Sequence, residues 1–242
     1  MNKFSNSNNL LIFVRHGERM DMAGLTPTFH ACDSELTTKG KQQAFEIGVS
    51  LSEYLMRNYP DHKTIKIYSS PFARTIQTSK NLIDGISRNM EIDDTININY
   101  YFSEVAGPCN FKDPDFKSFI VLLNKYELIE NEIGQTKLNY FNNPNGILPE
   151  KHETQKECGI RVVRGLEDFV FNIHKDAEIQ KNVFVIVSHA QPINQMNIYL
   201  GYPNPVGWDN IKFCNCYVYE YEVNISNDNL RGKYVDSFFP EQ

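Results

Sequence analysis

The sequence has few cysteines, no long apolar run and no excess of basic residues. Its 5 cysteines are an odd, scattered set without a Cys-x-x-Cys pair, which argues for reduced thiols over a disulfide framework or a zinc site. The longest apolar runs, such as LLIFV, are far shorter than the roughly 20 residues of a membrane span. With 24 basic and 30 acidic residues, the net charge of −6 offers nucleic acid or an anionic membrane no general attraction. We therefore expect neither of these as a partner.

The first residues of the sequence do not have the pattern of a secretion signal. Residues 1–9 are mostly Asn and Ser, without the basic, apolar and small-residue pattern of a signal peptide. We expect this stretch to be a disordered polar terminus and the protein to be cytoplasmic. The chain is 41% hydrophobic and 22% charged, which is typical of a globular protein. The remaining residues, 10–242, have the length of a single domain.

Apolar runs and helical spacings alternate along the chain. Strands are predicted at residues 10–14, 65–69, 183–187 and 213–223. Helices are predicted over 38–58, from Pro71 through Ile83, over 154–175 and from about 190 to Leu200, with Thr37 or Thr38 and Ser70 as amino-terminal caps. This alternation predicts an α/β fold with a mostly parallel sheet and helices on both faces.

The middle of the chain follows this pattern less regularly. Residues 115–132 have helical character, whereas 142–149 are rich in Asn, Pro and Gly and indicate a loop. We therefore expect an irregular insertion at about 105–150 within the single domain. We also expect this insertion to determine which substrate is bound.

Charged side chains and histidines follow three of the predicted strands. Arg15 and His16 follow the first strand, Arg74 lies in the first turn of the helix after the second, and His189 follows the third. Ligands of α/β proteins bind at the carboxyl ends of the strands, so these side chains are expected to form one site. Because a guanidinium group offers a planar fork of donors and keeps its charge, Arg15, Arg19 and Arg74 suit a phosphoryl group.

The same groups suit the chemistry of phosphoryl transfer. That reaction needs positioning and neutralisation of charge on the phosphoryl oxygens, often by Mg²⁺, and here arginines supply the positive charge. A neutral imidazole among them is a competent nucleophile, because cationic surroundings lower its pKa and keep its lone pair free. We therefore predict a site that uses neither a metal nor a cofactor.

Several segments resemble those of a known family. They are Arg15–Asp21 (RHGERMD), Asp33–Ala44 (DSELTTKGKQQA), Ser69–Thr78 (SSPFARTIQT) and Val187–Ala190 (VSHA). In this order and in strand-to-helix contexts they resemble the histidine phosphatase superfamily, in its phosphoglycerate mutase-like branch. The Arg-His-Gly-Glu-Arg form is similar to that of the Sts-like tyrosine phosphatases. Together with residues 157–161, the resemblance extends over most of residues 10–223.

The resemblance implies a nucleophile and a set of phosphate ligands. His16 would attack the phosphorus atom and become phosphohistidine. The groups that would hold the phosphoryl oxygens are Arg15, Arg19, Arg74 and His189, and His189 would not itself be phosphorylated. The implied activity is a metal-independent hydrolysis of phosphomonoesters, on a phosphopeptide that carries phosphotyrosine or on a phosphorylated small molecule. A homodimer is a further expectation that rests on the resemblance alone.

The resemblance also implies a proton donor. Phe102-Ser103-Glu104 is similar to the family's segment in which a glutamate follows an apolar residue by two positions. Glu104 would thus protonate the leaving oxygen and then deprotonate the hydrolytic water. The residues after Glu104 depart from the family's aromatic and Gly-rich pattern, and Asp113 and Glu18 are the alternatives. We otherwise expect Glu18 to brace the arginines through hydrogen bonds.

Other interpretations of the sequence stay open beside this one. A phosphoglycerate mutase is an alternative within the same fold. The cofactor-dependent mutases, however, have the pattern x-Ser-x-Trp at the position where this sequence has ERMD (residues 18–21). A protein that binds a phosphorylated ligand without turnover is another alternative.

The cysteines do not indicate a further site. Cys158 and Arg164 match the spacing of the cysteine phosphatase signature, but Cys158 lies on the apolar face of a predicted helix, where a thiol is inert. Cys214 and Cys216, expected on one face of a strand, lack the further ligands of a zinc site.

Overall fold

A computed structural model describes residues 9–28, 33–62, 64–107, 127–141, 147, 152–174, 181–203, 207–224 and 229–239. The strands in these ranges form one seven-stranded sheet. They are β1 (Asn9–Arg15), β2 (Thr64–Ser69), β3 (Thr95–Ile98), β4 (Lys137–Tyr140), β5 (Asn182–Ser188), β6 (Cys216–Asn224) and β7 (Asn229–Phe238). The helices are α1 (Thr38–Asn58), α2 (Ala73–Ile86), α3 (Glu127–Ile133), α4 (Gln155–His174) and α5 (Ala190–Tyr199). No helix in the described ranges is long and apolar enough to cross a membrane.

The sheet is mostly parallel, as the sequence predicts. Its strand order is β4-β3-β2-β5-β1-β6-β7, in which the pairs from β4 to β1 are parallel and the pairs made by β6 and β7 are antiparallel. β5 lies between β1 and β2, and its Val187 is in register with both Val14 and Ser69. These three strands therefore end at the same edge of the sheet, where the segments that follow them meet.

Successive residues of β1 point to opposite faces of the sheet and join two separate cores. Ile12 and Val14 pack with buried residues of α1 and α2, whereas Leu11 and Phe13 pack with residues of α4 and α5. All of these strand side chains are fully buried. Helices thus cover both faces of the sheet, which confirms the predicted α/β architecture.

The starts of two helices test the predicted caps. Thr37 caps α1 as expected, because its side-chain oxygen accepts a hydrogen bond from the Gly40 N–H (2.9 Å). Ser70 does not cap α2, which begins at Ala73. The Ser70 hydroxyl lies instead 2.8 Å from Nε2 of His189. Ser70 is therefore part of the site at the sheet edge and not a helix cap.

The fourth predicted strand begins later than its alternating pattern suggests. β6 starts at Cys216, because Cys214 has a left-handed backbone with a φ of 54° and its N–H donates to the carbonyls of Arg15 and His16. Cys214 therefore belongs to the turn that closes on β1. The expectation that both cysteines lie on the strand is wrong, although both are buried in the same core as Ile12 and Val14.

The described part of the expected insertion is more regular than predicted. Residues 127–140 contain α3, which matches the end of the helix predicted over 115–132, and β4, which pairs with β3 and extends the sheet. Residues 108–126 lie outside the described residues, as does the predicted loop at 142–149 except for residue 147. Residues 1–8 of the expected disordered terminus also lie outside the described residues, whereas Asn9, the last residue of that expected terminus, is buried in β1.

Candidate active site

The segments that follow β1, β2 and β5 meet at one edge of the sheet. The N–H of His16 donates to the Ser188 carbonyl (3.0 Å), and the N–H of Ser70 donates to the Val187 carbonyl (3.0 Å). These bonds continue the strand pairing beyond the strand ends. They bring the ring of His16 beside that of His189, with the two ring centroids 5.3 Å apart.

His16 is a buried, neutral imidazole. Its side chain is 1% exposed, and burial lowers its pKa well below 6.5, with a further lowering by the guanidinium groups of Arg15 and Arg74. Nδ1 lies 2.8 Å from the Gly17 carbonyl oxygen, which can only accept a hydrogen bond. In the neutral ring Nδ1 therefore carries the proton, and Nε2 keeps a free lone pair. A free lone pair is what a nucleophile requires.

His189 is the second buried imidazole of the site. Burial lowers its pKa well below 6.5, and the charge of Arg74 and the ring of His16 lower it further. Nε2 is 2.8 Å from Oγ of Ser70, and Nδ1 is 3.5 Å from Oε2 of Glu104. When the Ser70 hydroxyl donates to Nε2, Nδ1 carries the proton and can donate it in a hydrogen bond to an anion.

Arg74 lies in the first turn of α2 beside a buried carboxyl group. Its Nη1 is 3.3 Å from Oδ1 of Asp33, and both carboxyl oxygens of Asp33 accept the Ala73 N–H at 3.0 Å. Burial lowers the pKa of Arg74 to about 10. Burial raises the pKa of Asp33 to about 7, against the opposing effect of Arg74. Asp33, for which the sequence predicts no role in the site, thus anchors both the start of α2 and the Arg74 guanidinium.

Arg15 is held by contacts with the segment that precedes β6. Its Nη1 donates to the carbonyl of Ile211, and its guanidinium lies over the Phe213 ring, 4.4 Å from the ring centroid. Burial lowers the pKa of Arg15 to about 10. The group therefore remains cationic at neutral pH with its plane fixed by an aromatic ring.

Arg19 reaches the site with part of its charge already paired. Its Nε donates to Oδ1 of Asp21 (2.7 Å), and its Nη2 donates to Oδ2 of the same carboxylate. The Arg19 contacts lower the pKa of Asp21, an effect that burial opposes. The remaining N–H groups of Arg19 are the ones available to a ligand.

Three buried nitrogen atoms of the site make no hydrogen bond within the part of the chain that the structure describes. They are Nε of Arg15, Nε of Arg74 and Nδ1 of His189. A buried polar group without a partner costs about 1–3 kcal/mol, so a cluster of such donors indicates a ligand that supplies acceptors. A phosphoryl group supplies both acceptor oxygens and the negative charge that the arginines favour.

Glu104 is a carboxylate that lies beside two members of this cluster. It follows a short 3₁₀ turn at Tyr100–Phe102, and its side chain is largely buried. Oε2 lies 3.5 Å from Nδ1 of His189 and 3.9 Å from Nη2 of Arg74, while Oε1 accepts the Val105 N–H at 3.0 Å. The structure thus places Glu104 beside the groups with which the resemblance associates it.

Of the two alternatives to Glu104, the structure describes only Glu18. Glu18 accepts a hydrogen bond from the Thr37 hydroxyl (3.1 Å), and its N–H donates to Gln43, so it contacts the start of α1. Among the described residues it makes no ion pair with an arginine, and the expectation that it braces them is wrong. Asp113 lies outside the described residues.

A cavity of about 470 Å³ opens over the site. Arg15, His16 and Glu104 line it, and Met22 and Trp208 stand at its wall with 65% and 47% of their surface exposed. The cavity therefore combines a cationic floor with apolar side chains near solvent. A phosphorylated molecule fits this pattern, since its phosphoryl group meets the charges and its carbon skeleton meets the apolar wall.

Three residues of the site also have the composition of a metal centre. One ligand atom from each of His16, Glu104 and His189 lies within 4.8 Å of the others. The guanidinium groups of Arg15 and Arg74 lower the pKa of both imidazoles, and they repel a divalent cation by the same field. The electrostatics of the site thus favour an anion over a metal ion.

The cysteine that matches a phosphatase spacing is packed in a core. Cys158 is fully buried on α4, and burial raises the pKa of its thiol to about 12. Burial likewise raises the pKa of Cys214 and Cys216. These thiols are therefore protonated and unreactive at neutral pH, as predicted for Cys158.

Comparison with known proteins relates both the sequence and the fold to a family. Residues 11–98 match the family model of the histidine phosphatase superfamily (branch 1). This range holds the chain from β1 to β3 and includes His16 and its neighbouring arginines. No curated protein sequence matches the chain.

Solved structures with a similar fold include phosphatases and a mutase. The ecdysone phosphate phosphatase from Bombix mori has 17% sequence identity and a TM-score of 0.62, with 94% of this chain and 92% of that chain covered. A phosphoglycerate mutase from Bacillus anthracis str. Sterne has 17% identity and a TM-score of 0.55, with 95% and 94% covered. A mycobacterial glucosyl-3-phosphoglycerate phosphatase has 14% identity and a TM-score of 0.52, with 94% and 95% covered. The fold is phosphoglycerate mutase-like, and residues 11–98 are similar to the histidine phosphatase superfamily (branch 1).

Proposed function

We propose that this protein hydrolyses phosphomonoesters through a phosphohistidine at Nε2 of His16. The observation that carries the proposal is the state of the His16 ring, which is buried and neutral with its proton held on Nδ1 by the Gly17 carbonyl. The unsatisfied donors of Arg15, Arg74 and His189 support it, because they suit the oxygens of a phosphoryl group.

In the first step, the Nε2 lone pair of His16 attacks phosphorus and the bond from phosphorus to the ester oxygen breaks. The electron pair of that bond leaves with the oxygen, and Glu104 in its protonated form supplies the proton. The guanidinium groups of Arg15 and Arg74 and the N–H of His189 stabilise the charge on the non-bridging oxygens. An alcohol or a phenol is released.

In the second step, a water molecule attacks the phosphorus of phosphohistidine. Glu104, now a carboxylate, takes a proton from this water as the new bond to phosphorus forms. The bond from phosphorus to Nε2 breaks, its electron pair returns to the ring, and inorganic phosphate is released. Because the Gly17 carbonyl keeps the proton on Nδ1, His16 returns to its starting tautomer.

The residues after the Arg15-His16-Gly17 tripeptide favour a hydrolase over a mutase. The fold does not distinguish the two, since similar structures include both. Arg19 and Asp21 occupy the positions at which the cofactor-dependent mutases have Ser and Trp. In this protein the two side chains form a bidentate ion pair. The same segment supports a place near the Sts-like phosphatases within the superfamily.

The substrate in this proposal is a phosphorylated small molecule or a phosphotyrosine peptide. Its phosphoryl group binds at the cationic floor, and its carbon skeleton contacts Met22 and Trp208 at the cavity wall. Both side chains are exposed without a ligand, so contact with an apolar leaving group removes their surface from water.

The proposal is tested by hydrolysis of p-nitrophenyl phosphate in the presence of EDTA. We expect turnover by the wild type and its loss, by at least about 10³-fold, in His16→Ala, because the nucleophile is absent. His174→Ala is the matched control, since His174 lies on α4 with its Nε2 3.1 Å from the Tyr221 hydroxyl and takes no part in the site.

Two results would contradict the proposed function. One is turnover by His16→Ala comparable to that of the control. The other is a folded wild type that binds inorganic phosphate and hydrolyses none of a panel of aryl and alkyl phosphates, which would favour a phosphate-binding protein without turnover.

A further inference from the structure

A buried arginine outside the phosphate site contacts the turn that carries Glu104. Arg161 lies on α4 and is 8% exposed, although it carries a charge. Its Nη1 donates to the Tyr101 carbonyl (2.6 Å) and the Ser103 carbonyl (3.2 Å), and its Nη2 donates to the Glu104 carbonyl (3.2 Å). One guanidinium thus fixes three carbonyls of a four-residue segment that ends at Glu104.

The ion partner of Arg161 holds the other side of the same turn. Glu153 forms an ion pair with Arg161, and its Oε1 accepts the Ala106 N–H at 3.0 Å. Its own N–H donates to the Ala106 carbonyl at 2.9 Å. Glu104 is therefore enclosed between backbone contacts made by Arg161 before it and by Glu153 after it.

A third contact ties the turn to the strand that precedes His189. The Ser188 hydroxyl donates to the Phe102 carbonyl at 2.7 Å. Two independent elements, α4 and the end of β5, thus set the position of the Glu104 backbone. The distance from the Glu104 carboxylate to His189 depends on all of these bonds.

Stability alone is a poor explanation for the buried pair of Arg161 and Glu153. Buried ion pairs contribute little net stability compared with apolar residues of similar volume, because both charges lose their hydration. Position is a better explanation, since a general acid must lie within about 2.6–3.2 Å of the oxygen that it protonates. A displacement of about 1 Å in a catalytic group costs up to about 10²-fold in rate.

We propose that Arg161, with Glu153, is a positioning residue for the proton donor of the reaction. It fixes the backbone from Tyr101 to Ala106 so that the carboxyl group of Glu104 reaches the leaving oxygen. This inference rests on the proposed function and on the assignment of Glu104 as the acid. It predicts a loss specific to leaving groups that need a proton.

The test compares kcat/KM for two substrates of similar shape. Phenyl phosphate releases a phenol with a pKa of about 10, as in tyrosine, and needs the acid, whereas p-nitrophenolate leaves readily without a proton. The quantity kcat/KM covers the steps up to phosphoryl transfer, before the two paths converge on one phosphohistidine. We expect Arg161→Met to lower kcat/KM for phenyl phosphate by about 10-fold to 100-fold and for p-nitrophenyl phosphate by less than about 3-fold.

Two comparisons make the test specific. Arg164→Met is the matched control on the same helix, because Arg164 is 74% exposed and lies 3.9 Å from Asp168; its substrate ratio should equal that of the wild type. Arg161→Lys keeps the charge but not the fork of donors. Its ratio of kcat/KM for the two substrates should therefore fall between those of the wild type and Arg161→Met. Both kcat/KM values are measured on one sample, so their ratio does not depend on the fraction of the protein that is folded. The test therefore remains valid for a variant that folds poorly.

A double-variant cycle separates positioning from a general structural effect. Glu104→Gln should show the same selective loss, and adding Arg161→Met to it should leave the ratio unchanged, because no acid remains to be positioned. Equal losses on both substrates in Arg161→Met, or a further change of the ratio in the double variant, would overturn the inference while the proposed function stands. Absence of His16-dependent turnover in the wild type would overturn both.

Discussion

At the scale of single residues, burial sets the charge of each group in the site. His16 and His189 lie among guanidinium groups away from water, and the pKa of each falls well below 6.5. Arg15 and Arg74 have a pKa lowered to about 10 and stay charged at neutral pH. Two neutral rings among permanent cations provide one nucleophile and several phosphate ligands without a metal.

The pKa of His16 predicts how stability depends on pH. Below pH 6.5 the unfolded chain binds a proton on this residue that the folded chain does not, so the free energy of unfolding falls as pH falls. The loss amounts to at most about 1.4 kcal/mol per pH unit. His16→Gln should lose correspondingly less stability than the wild type between about pH 6.5 and pH 5.5, measured by urea unfolding.

The comparison of variant with wild type isolates His16 from the other groups. Asp33 acts in the opposite direction, because its pKa of about 7 lets the folded chain bind a proton that the unfolded chain releases above about 3.8. This contribution is common to both proteins. An equal decline of stability in both over this pH range would show that His16 is not held neutral.

The sequence predicts which site residues follow a strand, but it does not predict the side chains that contact them. The structure brings His16, Arg74 and His189 together because each follows a parallel strand, and that position is visible in the apolar runs. Pairing between distant side chains leaves no such trace. Asp33 and Arg74 are 41 positions apart, and their contact depends on how the segment before α1 approaches the sheet edge, which local spacing does not encode.

At the scale of secondary-structure elements, the turn after β1 packs tightly on the start of α1. The N–H of Gly17 donates to Oγ1 of Thr78 (3.0 Å), and an added Cβ on Gly17 would lie 2.4 Å from the Gly40 carbonyl oxygen. A Cβ on Gly40 would in turn lie 2.3 Å from the Glu18 carbonyl oxygen. Glycine at both positions therefore allows the backbone of the nucleophile turn to touch a helix.

This close approach predicts the effect of a single methyl group. Gly17→Ala should destabilise the protein by about 1–3 kcal/mol, because the clash is with backbone and one of the two segments must move. Gly107→Ala is the matched control, since its nearest neighbour outside the adjacent residues would be 3.8 Å from the new Cβ. Urea unfolding of both variants measures the difference. Equal stability of the two would refute the account of this contact.

The sequence predicts buried elements better than marginal ones. β1 and β5 are apolar between their first and last residues, and the predicted ranges 10–14 and 183–187 differ from the observed strands by one residue at each end. β3 and β4 have four residues each, so the alternation of Ile96 and Ile98 with polar residues in β3 is short, and the side chains of β4 are mostly exposed. β7 lies at the edge of the sheet, and most of its residues are only partly buried, so its hydrophobic pattern is weak as well. Strand pairing, and not local sequence, creates these elements.

At the scale of the whole molecule, one cationic site stands out in an acidic protein. The net charge is −6, yet the ends of β1 and β5 and the start of α2 gather three arginines and two buried histidines at one edge of the sheet. The topology produces this concentration, because β5 lies between β1 and β2 and all three run in the same direction. Local charge therefore attracts an anion to this edge against the net negative charge of the chain.

The central claim is that a covalent phosphoenzyme forms at His16. The most direct measurement mixes the protein rapidly with p-nitrophenyl phosphate, quenches the reaction in alkali, where phosphohistidine is stable, and maps the phosphoryl group by peptide mass spectrometry. We predict a phosphorylated peptide that contains His16, at a level that follows turnover, and no such peptide from His16→Ala. A phosphoryl group on another residue, or continued turnover with His16 unmodified at every time point, would contradict the claim.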